Sequence, residues 1–203
     1  MKKTDHICND AQLWDSFRDG NAHALSDIYH AHIQALFQYG SKFSVDTEFV
    51  KDCIHDLFVD LSNHRTTIGA TDNIRFYLIR SLKHKILRNL KSRNNLDMYD
   101  DYPFHLEATV DELQEQETNQ HVRKCIRDAI NKLPERQKEA IFLRYFMDFK
   151  NEEIAQVMNI NYQAVRNILY KAIENLRKTI SKEDLILFAV IIQFPAHRSC
   201  QSV

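Results

Sequence analysis

Asn151-Glu152-Glu153-Ile154-Ala155-Gln156-Val157-Met158-Asn159-Ile160-Asn161-Tyr162-Gln163-Ala164-Val165-Arg166-Asn167 decides the fold. The first eight residues predict a short helix, Asn159-Ile160-Asn161 a turn, and Tyr162 through about Lys178 a long helix. Ala155 is small, as a close crossing of two helices requires. Asn159 follows four residues later, where the chain must turn with positive φ, which Asn tolerates. Ile160 and Val165 supply the core between the helices. This is helix-turn-helix spacing, with the second helix suited to the major groove of DNA. An ordinary helical hairpin with a polar surface is the plainer alternative, but the small residue, turn residue and core residues all fall at the expected offsets.

The long helix sorts into two faces. Val165, Ile168, Leu169, Ala172, Ile173 and Leu176 point inward, while Gln163, Arg166, Asn167, Tyr170 and Lys171 point outward. Arg with Asn or Gln can pair two-pronged with guanine or adenine edges, and Lys and Tyr can hold phosphates. Upstream, Val122, Cys125, Ile126, Ala129, Ile130 and Leu133 mark an amphipathic helix. Pro134 suits the first turn of the next helix, which carries Ala140, Ile141, Leu143, Tyr145 and Phe146. Met147-Asp148-Phe149-Lys150 is the break, Asn151 the expected N-cap, and Glu153 sits near the positive end of the helix dipole.

Further out, the charge is uneven. Residues 121–182 carry 13 basic and seven acidic side chains, residues 94–120 none basic and eight acidic, and residues 1–93 13 basic and 11 acidic. The overall charge of −1 hides this asymmetry. The acidic stretch has Pro103, few aliphatic residues and strong self-repulsion, and is expected to be a linker over 94–118.

The first block, residues 1–93, shows four helical patterns. Leu13 and Phe17 mark the first, broken at Gly20-Asn21. Leu25, Ile28, Tyr29, Ile33, Leu36 and Phe37 mark the second, with Phe43 just beyond. The third, N-capped by Asp46, runs through Phe49, Val50, Cys53, Ile54, Leu57, Phe58 and Leu61. The fourth has Ile74, Tyr77, Leu78, Ser81, Leu82, Ile86, Leu87 and Leu90. Four helices with short connections predict a compact bundle.

Two of its faces carry charge. Asp52, His55, Asp56, Val59 and Asp60 lie opposite the apolar stripe of the third helix. Arg75, Arg80, Lys83, His84, Lys85, Arg88 and Lys91 surround the stripe of the fourth. A charge run is commonly a solvated helix face. Basic residues gathered on one helix are also the electrostatic footprint of phosphate binding.

The composition agrees with an all-helical chain of two small domains. With 203 residues there is enough length for two cores, and 3 Gly and 3 Pro argue against turn-dense all-β or Pro-rich architectures. The polar N-terminus shows no secretory signal. The longest apolar run, Leu185 to Ile192, is about half of the ~20 residues a membrane span needs. A cytoplasmic protein without membrane insertion is expected. Cys8, Cys53, Cys125 and Cys200 form no Cys-x-x-Cys, so reduced thiols are expected and no metal site. No nucleophile–base pair or Gly-rich phosphate cradle is visible, so neither an enzyme nor a cofactor is expected.

Three motifs in this order resemble a small sigma-70 family sigma factor of the extracytoplasmic-function (ECF) type. The resemblance spans about Leu13–Arg93 and Asn119–Ile180. Asp52-Cys53-Ile54-His55-Asp56-Leu57-Phe58 looks like the family's Asp-x-x-Gln-(Glu/Asp)-x-Phe motif, with His55 where Gln is usual. Tyr77-Leu78-Ile79-Arg80-Ser81-Leu82-Lys83-His84 resembles the helix that meets the −10 element, with His84 where many members have Asn. Leu133-Pro134-Glu135-Arg136-Gln137, Glu152-Glu153-Ile154-Ala155 and Val165-Arg166-Asn167 together look like region 4.

The resemblance implies a non-enzymatic specificity subunit. Asp52, His55, Asp56 and Phe58 would dock on bacterial core RNA polymerase. Arg75, Tyr77, Arg80, Lys83, His84, Lys85 and Arg88, with the loop at about Ser62–Asn73, would engage the −10 element as it melts. Phe76 and Tyr77 are available to stack on bases or to fill the core. Gln163, Arg166, Asn167, Tyr170 and Lys171 would read the −35 element of promoter DNA. The family also implies control by an anti-sigma factor. Residues 1–93 are then region 2-like, 119–182 region 4-like and 183–203 a hydrophobic extension. The competing reading is a stand-alone helix-turn-helix regulator whose first bundle dimerises or senses a ligand.

Overall fold

The computed structural model describes residues 3–94, 102–106 and 128–179. All regular structure among them is helical. The chain divides into two units, Met1–Tyr102 and Pro103–Val203.

The first unit is a four-helix bundle of α1 (Lys3–Arg18), α2 (Ala22–Gly40), α3 (Thr47–His64) and α4 (Ile74–Asn94). Each helix packs on the next in sequence, and α1 closes against α4. The boundaries follow local chemistry. Gly20 sits at φ +96°, where a side chain would be strained, and the Asn21 side chain then accepts the His23 N–H to start α2. Asp46 caps α3 by accepting the Phe49 N–H at 3.0 Å. Helix α4 is capped from two sides. Asn73 accepts the Phe76 N–H at 3.0 Å, and Asp10, from α1, accepts the Ile74 N–H at 3.1 Å.

The stripe expected on α3 is buried in full, from Phe49 to Leu61. On α2 the buried line runs through Ala24, Ile28, Leu36 and Tyr39, and Tyr29 is left 39% exposed at its edge. At the end of α2, Gly40 lets the chain pass close to α3, for a Cβ there would stand 2.7 Å from Val50 Cγ1.

In the second unit, residues 128–131 close a helix that ends before Pro134. Then come α5 (Glu135–Ile141), a wider π-helical turn over Phe142–Phe146, α6 (Asn151–Val157) and α7 (Tyr162–Thr179). Pro134 stands just outside α5, one position before the first turn where it was expected. The π turn stacks Phe142 on Phe146 with centroids 5.4 Å apart. Asp148, at φ +53°, reverses the chain, and Arg144 Nη1 donates to the Phe149 carbonyl at 2.9 Å. The N-cap of α6 is Lys150, not Asn151; its N–H donates to the Glu153 carboxylate at 2.7 Å.

The short described part of the acidic stretch is anchored. Tyr102 is buried in the first unit against Phe43, with centroids 5.5 Å apart. Phe104 and Leu106 are buried in the second unit. There the Phe104 N–H donates to Glu135 at 3.0 Å and its ring lies edge-on to Phe142. The rest of the stretch expected as a linker, and the 183–203 extension, lie outside the described residues.

Candidate nucleic-acid and protein interfaces

The helix-turn-helix of the second unit is built from backbone geometry upward. Ile154, Ala155, Val157 and Met158 are buried along α6. Asn159 takes φ +53°, the conformation expected from its position, and the Ile160 N–H then closes on the Ala155 carbonyl at 2.9 Å. Asn161 caps α7 by accepting the Ala164 N–H at 2.7 Å. Val165, Ala172 and Leu176 are buried, while Ile168, Leu169 and Ile173 are half-buried.

The opposite side of α7 is open. Gln163, Arg166, Asn167, Tyr170 and Lys171 are all exposed, Tyr170 at 71%. Gln163 Nε2 donates to Asn167 Oδ1 at 3.3 Å, which joins two of these side chains across one helical turn. At the C-terminal end, Lys178 pairs with Glu174 at 2.8 Å and holds its carboxyl below the usual range. Arg166, Tyr170 and Lys171 take part in neither of these two contacts and stay exposed.

On α3, Asp52, His55 and Asp56 are exposed, and Val59 adds 41% exposure beside them. Phe58 differs from its three companions. It is buried to 8% exposure beneath Tyr29, whose ring meets it edge-on at 5.0 Å. Asp60, on the same acidic side, accepts from Lys85 Nζ at 2.7 Å.

The basic helix α4 is less uniformly basic at its surface than its sequence suggests. Arg80, His84 and Arg88 are exposed. Lys85 is buried and committed to Asp60. Lys83 is buried too; its ammonium donates to the Tyr102 hydroxyl at 2.9 Å and lies 4.5 Å from the centre of that ring. Arg75 and Tyr77 are half-buried, and the Tyr77 ring rests on Trp14 with centroids 4.9 Å apart. Burial first, then the charges of Arg80 and Lys83, push His84 below the ordinary imidazole range. At neutral pH it therefore presents a neutral ring rather than a cation.

The loop before α4 is held by residues the sequence did not single out. Trp14 Nε1 donates to the Gly69 carbonyl at 2.9 Å, and Arg18 Nε to the Ile68 carbonyl at 3.0 Å. Only the rarity of tryptophan, one in the chain, marked the first of them. Among the described residues no group of three or more His, Cys, Asp or Glu side chains is placed to hold a metal ion, and Cys53 is a buried cysteine outside any disulfide, whose Sγ accepts from Asn89 Nδ2 at 3.4 Å. No described helix is long and apolar enough to cross a membrane.

Residues 123–176 match the family described as Sigma-70, region 4. RNA polymerase sigma factor SigV of Bacillus subtilis (strain 168) is 23% identical over 154 residues, which cover 76% of this chain and 89% of that protein. RNA polymerase sigma factor YlaC of the same organism is 24% identical over 162 residues, 78% of this chain and 93% of the relative. Among solved structures, CnrH in complex with the cytosolic domain of CnrY aligns with a TM-score of 0.55 at 19% identity, covering 89% of this chain and 97% of that one. RpoE in complex with the anti-sigma factor NepR from Bartonella quintana aligns with a TM-score of 0.54 at 13% identity, covering 76% and 94%. The likeness to both structures extends over most of the chain and establishes the shared helical fold. Residues 123–176 thus match sigma-70 region 4, and over most of its length the chain is similar to RNA polymerase sigma factors.

Proposed function

We propose that this protein binds bacterial core RNA polymerase in the cytoplasm and directs it to promoters, acting as a specificity subunit without chemistry of its own. The observation that carries this reading is the α6–α7 helix-turn-helix inside the region 4 match, with Arg166, Asn167, Tyr170 and Lys171 exposed on one side of α7. That side reads the −35 element in duplex form, through base edges by Arg166 and Asn167 and through phosphates by Lys171.

The first unit takes the other two tasks. Asp52, His55 and Asp56 form the docking face for core polymerase, with Phe58 supporting that face from beneath. Arg80, His84 and Arg88, with the loop before α4, meet the −10 element as it opens. Stacking and cationic contacts there offset the cost of unpairing, at roughly 1–3 kcal/mol per stacked base. An anti-sigma factor is the natural regulator, as the RpoE complex with NepR illustrates for a protein of this fold.

The test is co-elution of the full chain with core RNA polymerase, comparing wild type with Asp56→Arg, followed by run-off transcription. Tight binding that the substitution abolishes supports the reading and the docking face. Binding that the substitution leaves intact moves the face elsewhere. Absence of binding by a folded protein favours a stand-alone DNA-binding regulator.

A further inference from the structure

Two hydrogen bonds from α1 reach across about fifty residues of sequence to consecutive carbonyls of the loop before α4, those of Ile68 and Gly69. Both donors are themselves fixed. The Trp14 ring is fully buried between Phe17 and Tyr77, at centroid distances of 5.3 and 4.9 Å. The Arg18 guanidinium is also paired with Asp15 at 3.1 Å. Upstream, the N–H groups of Thr67 and Ile68 both close on the His64 carbonyl, so the loop is fixed from its start.

This has a stereochemical consequence. No peptide bond among the described residues is cis. In a trans peptide the carbonyl and the following N–H point to opposite sides. With the carbonyls of Ile68 and Gly69 directed at α1, the N–H groups of Gly69 and Ala70 are directed away from it. Both residues are exposed, and among the described residues neither amide finds an acceptor. The space beside them is open, since a Cβ added at Gly69 would meet nothing within 4 Å.

We propose that Trp14 and Arg18 are positioning residues for promoter opening: they orient the amides of Gly69 and Ala70 as a paired donor site for an acceptor on the melted −10 strand. The inference rests on the assignment of the first unit to the −10 element. The acceptor is an oxygen or ring nitrogen, supplied either by the strand's phosphates or by an unpaired base. Backbone amides serve this purpose well, because they are already ordered and lose no side-chain freedom on binding.

The test uses the full chain with core polymerase and a duplex template library randomised over the −10 element, read by sequencing run-off products. Ala70→Pro removes one N–H from an exposed position, and Ala70→Ser keeps it. Trp14→Phe keeps the ring but loses its donor; Arg18→Met loses the donor, and Arg18→Lys restores one. Expected is a loss of about tenfold in open-complex formation for Ala70→Pro, Trp14→Phe and Arg18→Met, with core binding unchanged and with Ala70→Ser and Arg18→Lys near wild type. A loss uniform across the library assigns the acceptor to phosphate, and a sequence-dependent loss assigns it to a base. Wild-type yield from a folded Ala70→Pro variant overturns the proposal, and so does a loss that only follows reduced core binding. A wild-type chain that neither binds nor activates the polymerase overturns the underlying functional reading, and the proposal with it.

Discussion

Lys85 of α4 donates to the carboxylate of Asp60 on α3 at 2.7 Å, and the two ends of this bridge live in different solvents. The Lys85 side chain is 9% exposed and that of Asp60 is 54% exposed. Removing either partner therefore has unequal consequences. Asp60→Ala leaves a buried ammonium without its carboxylate and is expected to cost about 1–3 kcal/mol. Lys85→Met keeps the apolar stem, lets Asp60 turn to water, and is expected to cost less than about 1 kcal/mol. Urea denaturation of the two variants decides this, and equal losses would contradict it. The same bridge sets an acid limb. Its hydrogen bond, foremost, and the charges of Lys85, His64 and Arg88 hold the Asp60 carboxyl below its ordinary range, against a smaller opposing effect of burial. Its stabilisation is complete above about pH 4 and fades as pH falls through the lower folded value.

A second pH effect lies nearer neutrality. His32 is pushed below the ordinary imidazole range chiefly by burial, with Asp10 opposing and Arg75 assisting. The unfolded chain thus accepts a proton that the folded chain refuses. Its contribution is complete above about pH 6.5 and declines as pH falls toward the folded value. Wild type should lose stability between pH 7.5 and 5.5 in denaturant titrations, and His32→Gln should lose less over that interval. Identical pH slopes for the two proteins would remove His32 from the account.

Gly40 and Gly69 make opposite predictions from the same substitution. A Cβ at Gly40 would stand 2.7 Å from Val50 Cγ1, inside a fully buried helix crossing. Gly40→Ala should cost about 1–3 kcal/mol, and adding Val50→Ala should recover part of that loss. Gly69→Ala meets no neighbour and should stay within about 0.5 kcal/mol of wild type. Thermal unfolding followed by the fluorescence of Trp14, the one tryptophan, reports on this unit. A stable Gly40→Ala would show that α2 and α3 can move apart at little cost.

What the sequence made legible was local, and what it hid was paired over distance. The bounds of α6 and α7, the positive φ of Asn159 and the Asp46 cap all follow from side chains acting within a few residues of themselves. The inward turn of Lys83 does not, because its partner Tyr102 comes 19 residues later in a stretch whose acidity suggested only a linker. Tyr102, Phe104 and Leu106 alternate as an extended segment would, yet three apolar side chains among so many carboxylates made a weak pattern. The Trp14 and Arg18 bonds to the loop likewise have no periodicity to betray them. The π turn after α5 keeps helical spacing nearly intact, so the sequence reads through it.

Asn159 offers a test of how far turn geometry governs the second unit. At φ +53° a residue with a Cβ and no local polar compensation costs about 1–2 kcal/mol. Asn159→Ala should be destabilised by about that amount, and Asn159→Gly should match or exceed wild type. Circular dichroism melts of the full chain measure both. An Asn159→Ala protein as stable as Asn159→Gly would mean the turn relaxes to an ordinary conformation.

Arg166 and Lys171 are both exposed on α7, and under the proposed reading of the −35 element their chemistry separates what each would contribute. A guanidinium presents a rigid fork of donors that matches the two acceptors of guanine, so Arg166 can distinguish bases. An ammonium is a point charge that any phosphate satisfies, so Lys171 cannot. Arg166→Ala should cost about 1–3 kcal/mol on the preferred −35 sequence and much less on a sequence altered at the base it reads. Lys171→Ala should weaken all sequences alike and reduce the slope of log affinity against log salt by about one. Fluorescence anisotropy of labelled promoter duplexes with the reconstituted holoenzyme, run at several salt concentrations, measures both quantities. If Arg166→Ala instead weakened every sequence equally and lowered the salt slope, its guanidinium would be resting on the backbone. Base reading would then fall to Asn167 and Gln163, the pair already joined across one turn of the helix.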